Sequence, residues 1–392
     1  MFIKEDKWSA FGHYTVGSDP TPLYNLTLAL EKNLHSPTNY VKFHFHDEVF
    51  KAAQPTVEPS ESLLELYCQR VKQLREKYDY LVLFYSGGAD SHNILKCFEH
   101  TDTKLDEIIS FVDSSYKSKD SKISSEVYKV AIPEVEAYKD LYPDCKFTLI
   151  EIREIQEKLF RDTSFKFDLY QDAVYHIVPF SVMHFYALHY VDRFRDLHDQ
   201  GKKVGVIQGI DKVKLEHSQG KWAFRFNDFS SHFGHKHYFR DFATYDEFFY
   251  WTPDLPQITI KQAHVTARYM DYLDSVSAET PYRNNQHSNV IRRKSGTKTN
   301  WEYANHIIYP FWQQGTFSTG KTFESFISNG RDDTLSRTHD EILRGYKSAM
   351  YKKLVLAKNA NRHLTPSVLN GSDDKQSVIG MIPFATDLIY IE

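Results

Sequence analysis

The sequence predicts an α/β protein built on a doubly wound, mostly parallel sheet, with a small N-terminal extension and a mostly helical C-terminal region. Three observations point there. Tyr80-Leu-Val-Leu-Phe-Tyr85 is a continuous apolar run, the composition of a strand buried on both faces. A turn containing two glycines and a helical pattern follow it directly. Strand-like and helical segments then alternate as far as about residue 208, as they do where helices cover a parallel sheet.

Composition sets the bounds. A chain of 392 residues suggests two domains, or one large domain with additions. Hydrophobic residues at 41% and charged residues at 26% exclude fibrous, low-complexity and disordered classes. Aromatics at 15% imply bulky cores or stacking surfaces. The formal charge of −4 leaves no global basic footprint for nucleic acid, so such a contact would need a local patch. Cys68, Cys97 and Cys145 are far apart and form no CxxC, which argues against a disulfide scaffold or a cysteine zinc site and for a reducing cytosol. Met1-Phe-Ile-Lys-Glu-Asp6 turns charged too early for a signal peptide. Ala173 to Val191 carries no formal charge and matches a membrane span in length. Its Pro179, His176, His184 and His189 fit a buried helix pair in a soluble core better, and no membrane partner is expected.

The elements follow in order. In the extension, residues 1–59, Val41-Lys-Phe-His-Phe-His46 alternates with period two and reads as a strand. Pro55, Pro59 and Ser60 break the pattern. Ser62-Leu-Leu-Glu65 has the form of a capping box, and Leu63, Leu66, Tyr67, Val71 and Leu74 carry a helix to about Lys77. The apolar strand ends at the turn, and Asn93-Ile-Leu-Lys-Cys-Phe98 continues as helix. Glu107–Val112 is a second strand, residues 121–141 a helix, Lys146–Ile152 a third strand, about 172–198 a long helical region, and Lys203–Gln208 a fourth strand. This places an α/β domain over 60–215. Residues 216–392 are aromatic and helical, without clear βαβ units, and read as a region packed on the sheet.

The turn is the chemically informative feature. Ser86-Gly-Gly-Ala-Asp-Ser91 sits where open parallel sheets bind ligands, outside the carboxyl end of a strand. A helix N-terminus there offers unpaired N–H groups and a positive dipole end, which suit phosphate. Gly87 and Gly88 let the backbone wrap an anion, and Ser86 and Ser91 can donate hydroxyls. Asp90 would repel phosphate unless a cation stands between them, which implies Mg²⁺. The plainer alternative is a tight strand–helix turn with a serine cap.

Ser-Gly-Gly-x-Asp-Ser after a buried strand resembles the PP-loop of the N-type ATP pyrophosphatases. That superfamily includes asparagine synthetase, GMP and NAD synthetases, β-lactam synthetase, tRNA thiolation enzymes and PAPS reductases. The resemblance covers about residues 78–215 and is specific to the superfamily rather than to a member. It implies an adenine nucleotide alpha hydrolase-like, Rossmann-like sheet and cleavage of ATP between its α- and β-phosphates. It further implies that Ser86, Gly87, Gly88, Ala89, Asp90 and Ser91 contact phosphates or Mg²⁺, and that the strand end at Phe111-Val112-Asp113 meets adenine through its backbone. In the asparagine synthetase branch, a second glycine–acid loop helps bind Mg-pyrophosphate. Gln208-Gly-Ile-Asp211 occupies the matching place, with Gly209 in the loop and Asp211 as metal ligand or as the cap of a turn.

Departures from individual members narrow the chemistry. No cysteine pair supports sulfur transfer, and no cysteine cluster holds zinc. Phe2 stands where asparagine synthetase carries its glutaminase nucleophile, so nitrogen would come from ammonia or an amine. The nearest likeness is the asparagine synthetase catalytic domain without its glutaminase domain. An acceptor oxygen, most simply a carboxylate, would attack the α-phosphorus, expel Mg-pyrophosphate and then lose AMP to an amine. Cations are needed where charge develops. Lys212, Lys321 in Gly315-Thr-Phe-Ser-Thr-Gly-Lys321, and Arg292-Arg293-Lys294 are the candidates. Lys321 also reads as a solvated loop lysine, and the 292–294 run as a solvated charge run or as a nucleic-acid contact. The competing functions are a PP-loop enzyme that modifies a nucleobase or tRNA, and an ATP-binding protein without turnover.

Two histidine groups have chelating spacing: His232, His235 and His237, and His44 and His46 with Asp47. No further carboxylate or cysteine completes either set, so hydrogen-bonded histidines are the expectation. Phe248-Phe-Tyr-Trp-Thr-Pro-Asp254 and Tyr309-Pro-Phe-Trp312 read as core aromatics, with an acceptor pocket wall or a base-stacking platform as the sharper alternative.

Overall fold

In a computed structural model of the chain, the described residues are 12–23, 29, 32–33, 40–112, 127–151, 192–209, 212–226, 244–276, 301–311 and 385–392. The N-terminal extension contains a three-stranded antiparallel sheet, β1 (His13–Val16), β2 (Asp19–Leu23) and β3 (Val41–His44), in the order β2-β1-β3. The period-two pattern is explained by burial: Tyr14, Val16, Val41 and Phe43 are all buried. A short helix, α1 (Asp47–Ala52), follows. Its Phe50 packs on Phe226 with ring centroids 4.5 Å apart.

Helix α2 (Leu63–Lys77) starts at the expected capping box. The Glu65 N–H donates to Ser62 Oγ at 3.2 Å, and the Ser62 N–H donates to the Glu65 carboxylate at 2.7 Å. Next come β4 (Tyr80–Phe84), α3 (Ala89–His100) and β5 (Glu107–Val112). The helix expected over 121–141 is described from Val127, as one π-helical turn, Val127–Ala131, leading into α4 (Ile132–Leu141). Then follow β6 (Lys146–Glu151), α5 (Asp192–Asp199) and β7 (Val204–Gln208).

Beyond residue 215 the chain departs from the helical expectation in one respect. Helices α6 (Gln257–Val276) and α7 (Trp301–Ile308) are present, but so, among the described residues, are four strands. β8 (Lys214–Ser218) and β9 (Lys221–Arg225) form a hairpin closed by Gln219-Gly220, both at positive φ, the geometry of a type I′ turn. β10 (Thr244–Phe248) joins the central sheet, and β11 (Ile389–Tyr390) pairs with β9. The Ser-Gln-Gly-Lys turn between two alternating segments was the readable signal for the hairpin. Strand β10 has no such local signal, because its place is set by pairing with β7, 40 register positions away in the chain (Thr244 opposite Val204).

The central sheet has five parallel strands in the order β10-β7-β4-β5-β6. Leu81, Val82 and Leu83 of β4 and Val204, Val206 and Ile207 of β7 are all buried, so the apolar runs report strands covered on both faces. From β4 the chain steps outward through β5 to β6. It then returns to the opposite side of β4 with β7 and steps outward again with β10. Strand order therefore reverses between β4 and β7, and the loops leaving these strands meet at the ligand-binding edge of an open α/β sheet. Among the described residues, no helix is long and apolar enough to cross a membrane.

Candidate active site

Residues Ser86 to Ser91 join β4 to α3. Gly87 has φ +77°, a region that costs an L-residue with a side chain roughly 1–2 kcal/mol. Gly88 is the extended N-cap of α3 and makes no side-chain cap, so the first-turn N–H groups and the positive end of the helix dipole are not engaged by a capping side chain. The two serines brace the turn. The Ser86 N–H donates to Ser91 Oγ at 3.3 Å, Ser91 Oγ donates to the Gly88 carbonyl at 3.2 Å, and Ser86 Oγ accepts from the Gly88 N–H at 3.3 Å. Ser86 is exposed at the rim and Ser91 is buried.

The loop after β7 lies directly on this turn. A Cβ at Gly209 would stand 3.3 Å from the carbonyl carbon of Asp90, which explains a glycine at that position. Lys212, whose side chain is 9% exposed, donates from Nζ to Asp90 Oδ1 at 3.1 Å. Tyr309, just past α7, donates its hydroxyl to the same oxygen, and the Lys212 ammonium sits 5.8 Å from the Tyr309 ring centroid. Tyr250, two residues past β10, donates to the Asp90 main-chain carbonyl at 2.7 Å and accepts from Asn93 Nδ2 at 3.2 Å. Burial pushes the Tyr309 hydroxyl well above its ordinary pKa, and the charge of Asp90 adds to this. Burial does the same for Tyr250, helped by Tyr67 and Asp90. Both therefore serve Asp90 as protonated donors. At the end of β5, the Phe111 ring lies 5.4 Å from that of Phe84, and Val112 is buried.

Of the residues expected from sequence, Ser86, Gly87, Gly88, Ala89, Asp90, Ser91, Gly209 and Lys212 come together here, and Phe111 and Val112 end the neighbouring strand. Asp211, Lys321, Arg292, Arg293 and Lys294 lie outside the described residues, as do His232, His235, His237 and the uncharged 173–191 stretch. The sequence pattern marks Tyr67 and Asn93 only as helix residues and gives no signal for Gln262, while Tyr250 and Tyr309 fall in clusters that read as core aromatics, with an acceptor pocket wall or base-stacking platform as the alternative. They are core, and they also turn their hydroxyls to Asp90.

All three cysteines are free thiols. Burial pushes Cys97 well up, raises Cys68, and together with Asp106 takes Cys145 to about 12, so none is activated as a thiolate. His44 Nδ1 lies 2.8 Å from Asp47 Oδ2 and its Nε2 lies 2.9 Å from Thr15 Oγ1. Among the described residues, no three His, Cys, Asp or Glu side chains are grouped to hold a metal. No protein-family model matches the chain, and no curated protein matches it.

Proposed function

We propose that the protein is a Mg-dependent, AMP- and pyrophosphate-forming ATP pyrophosphatase. In this reading it adenylates an acceptor, most simply a carboxylate, for amide-type bond formation with ammonia or an amine. One observation carries the reading: a glycine turn at a helix N-terminus, at the reversal of strand order, faces a buried lysine that reaches its aspartate. The strand order also supports the Rossmann-like, adenine nucleotide alpha hydrolase-like class.

The roles follow from chemistry. The N–H groups of the turn and the dipole of α3 would bind the β- and γ-phosphates. The acceptor oxygen forms a bond to the α-phosphorus while the bond from that phosphorus to the bridging oxygen breaks, and pyrophosphate leaves with the electron pair. The amine then bonds to the acyl carbon and AMP departs. Lys212 would neutralise charge on the leaving group from a low-dielectric position, where one charge has a large effect. Carboxylate and hydroxyl oxygens are the donors that Mg²⁺ takes, and Asp90 is the residue that would hold an ion arriving with ATP. When bound, the ion supplies charge neutralisation on the pyrophosphate. Unactivated thiols favour this chemistry over sulfur transfer.

The test is exchange of labelled pyrophosphate into ATP with Mg²⁺ across a panel of carboxylates. The expected products are AMP and pyrophosphate, with exchange suppressed in Asp90→Asn. Formation of ADP and phosphate, or wild-type exchange in Asp90→Asn, would overturn the reading.

A further inference from the structure

Gln262 is fully buried on α6, a helix whose other buried residues include Ile258, Ile260, Ala263, Ala267 and Met270. A leucine there would avoid the desolvation of an amide, so the amide requires partners. Its partners are specific. The Val213 N–H, directly after Lys212, donates to Gln262 Oε1 at 3.2 Å. Gln262 Nε2 donates to the Tyr67 hydroxyl at 2.8 Å, and Tyr67 donates to the Ile308 carbonyl at 2.8 Å. Ile308 precedes Tyr309, which donates to Asp90, and Asp90 accepts from Lys212.

These bonds close a ring: Asp90, Lys212-Val213, Gln262, Tyr67, Ile308-Tyr309 and back to Asp90. Every direction in its buried arc is forced. An amide N–H at Val213 can only donate and a carbonyl at Ile308 can only accept, so the Gln262 amide and the Tyr67 hydroxyl each have one workable orientation. Thr259, one turn before Gln262, donates to the Tyr250 carbonyl at 2.9 Å and ties the same helix to Tyr250, which donates to the Asp90 main-chain carbonyl.

We infer that Gln262 and Tyr67 are positioning residues that hold Lys212 and Tyr309 onto Asp90, through the main chain at Val213 and Ile308. Neither has a hydrogen bond to Asp90 itself among those described; they act through the segments that do. The catalytic consequence rests on the proposed function, whereas the placement of Lys212 does not.

The experiment therefore has two arms on the full chain, comparing wild type with Gln262→Leu. The first uses no nucleotide: lysines are acylated with the N-hydroxysuccinimide ester of acetic acid, and labelling of Lys212 is measured by mass spectrometry relative to Lys96. Lys96 is held by Glu99 and Glu134, apart from the ring. The ring requires the Lys212/Lys96 ratio to rise several-fold in Gln262→Leu; an unchanged ratio overturns the inference, and a parallel rise of both lysines, meaning general loosening, overturns it too. If Gln262→Leu does not fold, Tyr67→Phe breaks the same arc with little change in volume. The second arm is pyrophosphate exchange. Gln262→Leu is expected to lower kcat about tenfold with a smaller change in KM for Mg·ATP, and to have a smaller effect in a Lys212→Met background, where only the hold on Tyr309 is left to lose. Additive losses in that background overturn the inference. Exchange that is absent in wild type while the labelling ratio still responds sinks the proposed function and leaves the ring supported.

Discussion

A Cβ placed on Gly209 would stand 3.1 Å from the backbone nitrogen of Ser91, so the loop after β7 meets the first turn of α3 backbone against backbone. Neither side of that contact can rotate away as a side chain would. Gly209→Val is expected to force the two loops apart and to lower the unfolding free energy by about 1–3 kcal/mol in a urea titration. A valine variant as stable as wild type would show that the contact has slack.

The two glycines of the turn should respond differently. Gly87, at φ +77°, resists any side chain, and Gly87→Ala is expected to cost about 1–2 kcal/mol. Gly88 has φ −78° and ψ 163°, which any residue adopts, so Gly88→Ala should cost less. Denaturation midpoints of the two variants check the ranking, and the reverse order would contradict the turn geometry.

Lys212 is buried beside Asp90, and its ammonium and the neutral Tyr309 hydroxyl both donate to Asp90 Oδ1, so Lys212→Met removes a positive charge from that oxygen. Under the proposed chemistry, Lys212→Met should lower pyrophosphate exchange by at least about tenfold, a barrier increase near 1.4 kcal/mol. Equal rates in the variant and wild type would remove Lys212 from the reaction.

His92 gives the site a pH signature. Burial, reinforced by Lys96 and opposed by Glu134, lowers its pKa to about 4, while its hydrogen-bonding neighbour Tyr85 lies 3.0 Å from Nδ1. The unfolded chain takes up the proton near the ordinary value of 6.5, before the folded chain does. Folded-state stability should therefore fall as pH drops from about 6.5 toward 4, by roughly 1–2 kcal/mol between pH 7 and pH 5. His92→Gln should flatten that interval; a variant whose stability falls as steeply as wild type would assign the loss to other groups.

Arg70 is fully buried between α2 and the β10 edge. Its Nη2 donates to Glu247 at 2.6 Å and its Nη1 to Asp254 at 3.1 Å. Arg70→Met strands Glu247 in the interior with Lys77 at 2.8 Å as its remaining cation, and a loss of about 3–5 kcal/mol is expected. Adding Glu247→Leu should recover part of that loss, because a buried charge without its partner is worse than none. Chemical denaturation of the single and double variants distinguishes this from a simple packing defect, which the second substitution would deepen.

What could be read from the sequence was local. The capping box at Ser62–Glu65 sits within four residues, the apolar run at Tyr80–Tyr85 reports burial on both faces of one strand, and the glycine turn follows it without interruption. Gly209 and Lys212 were legible because they leave the end of another apolar strand. The hairpin at Gln219-Gly220 was legible and missed, since its turn residues carry the positive φ that closes two residues between strands. Strand β10 was not legible: only its pairing with β7 makes Thr244–Phe248 part of the sheet.

The sequence alone therefore determined that a two-glycine turn lies between a doubly buried strand and a helix. The tertiary structure alone decided what stands over it. Lys212, legible only as a candidate cation, reaches Asp90 across 122 residues of chain and Tyr309 across 219, and no local pattern marks either as a partner of Asp90. Short-range spacing encodes turns, caps and strand faces because those depend on neighbouring dihedrals. Contacts between segments that each look like ordinary core depend on how whole elements pack, and only the folded sheet brings those ends together.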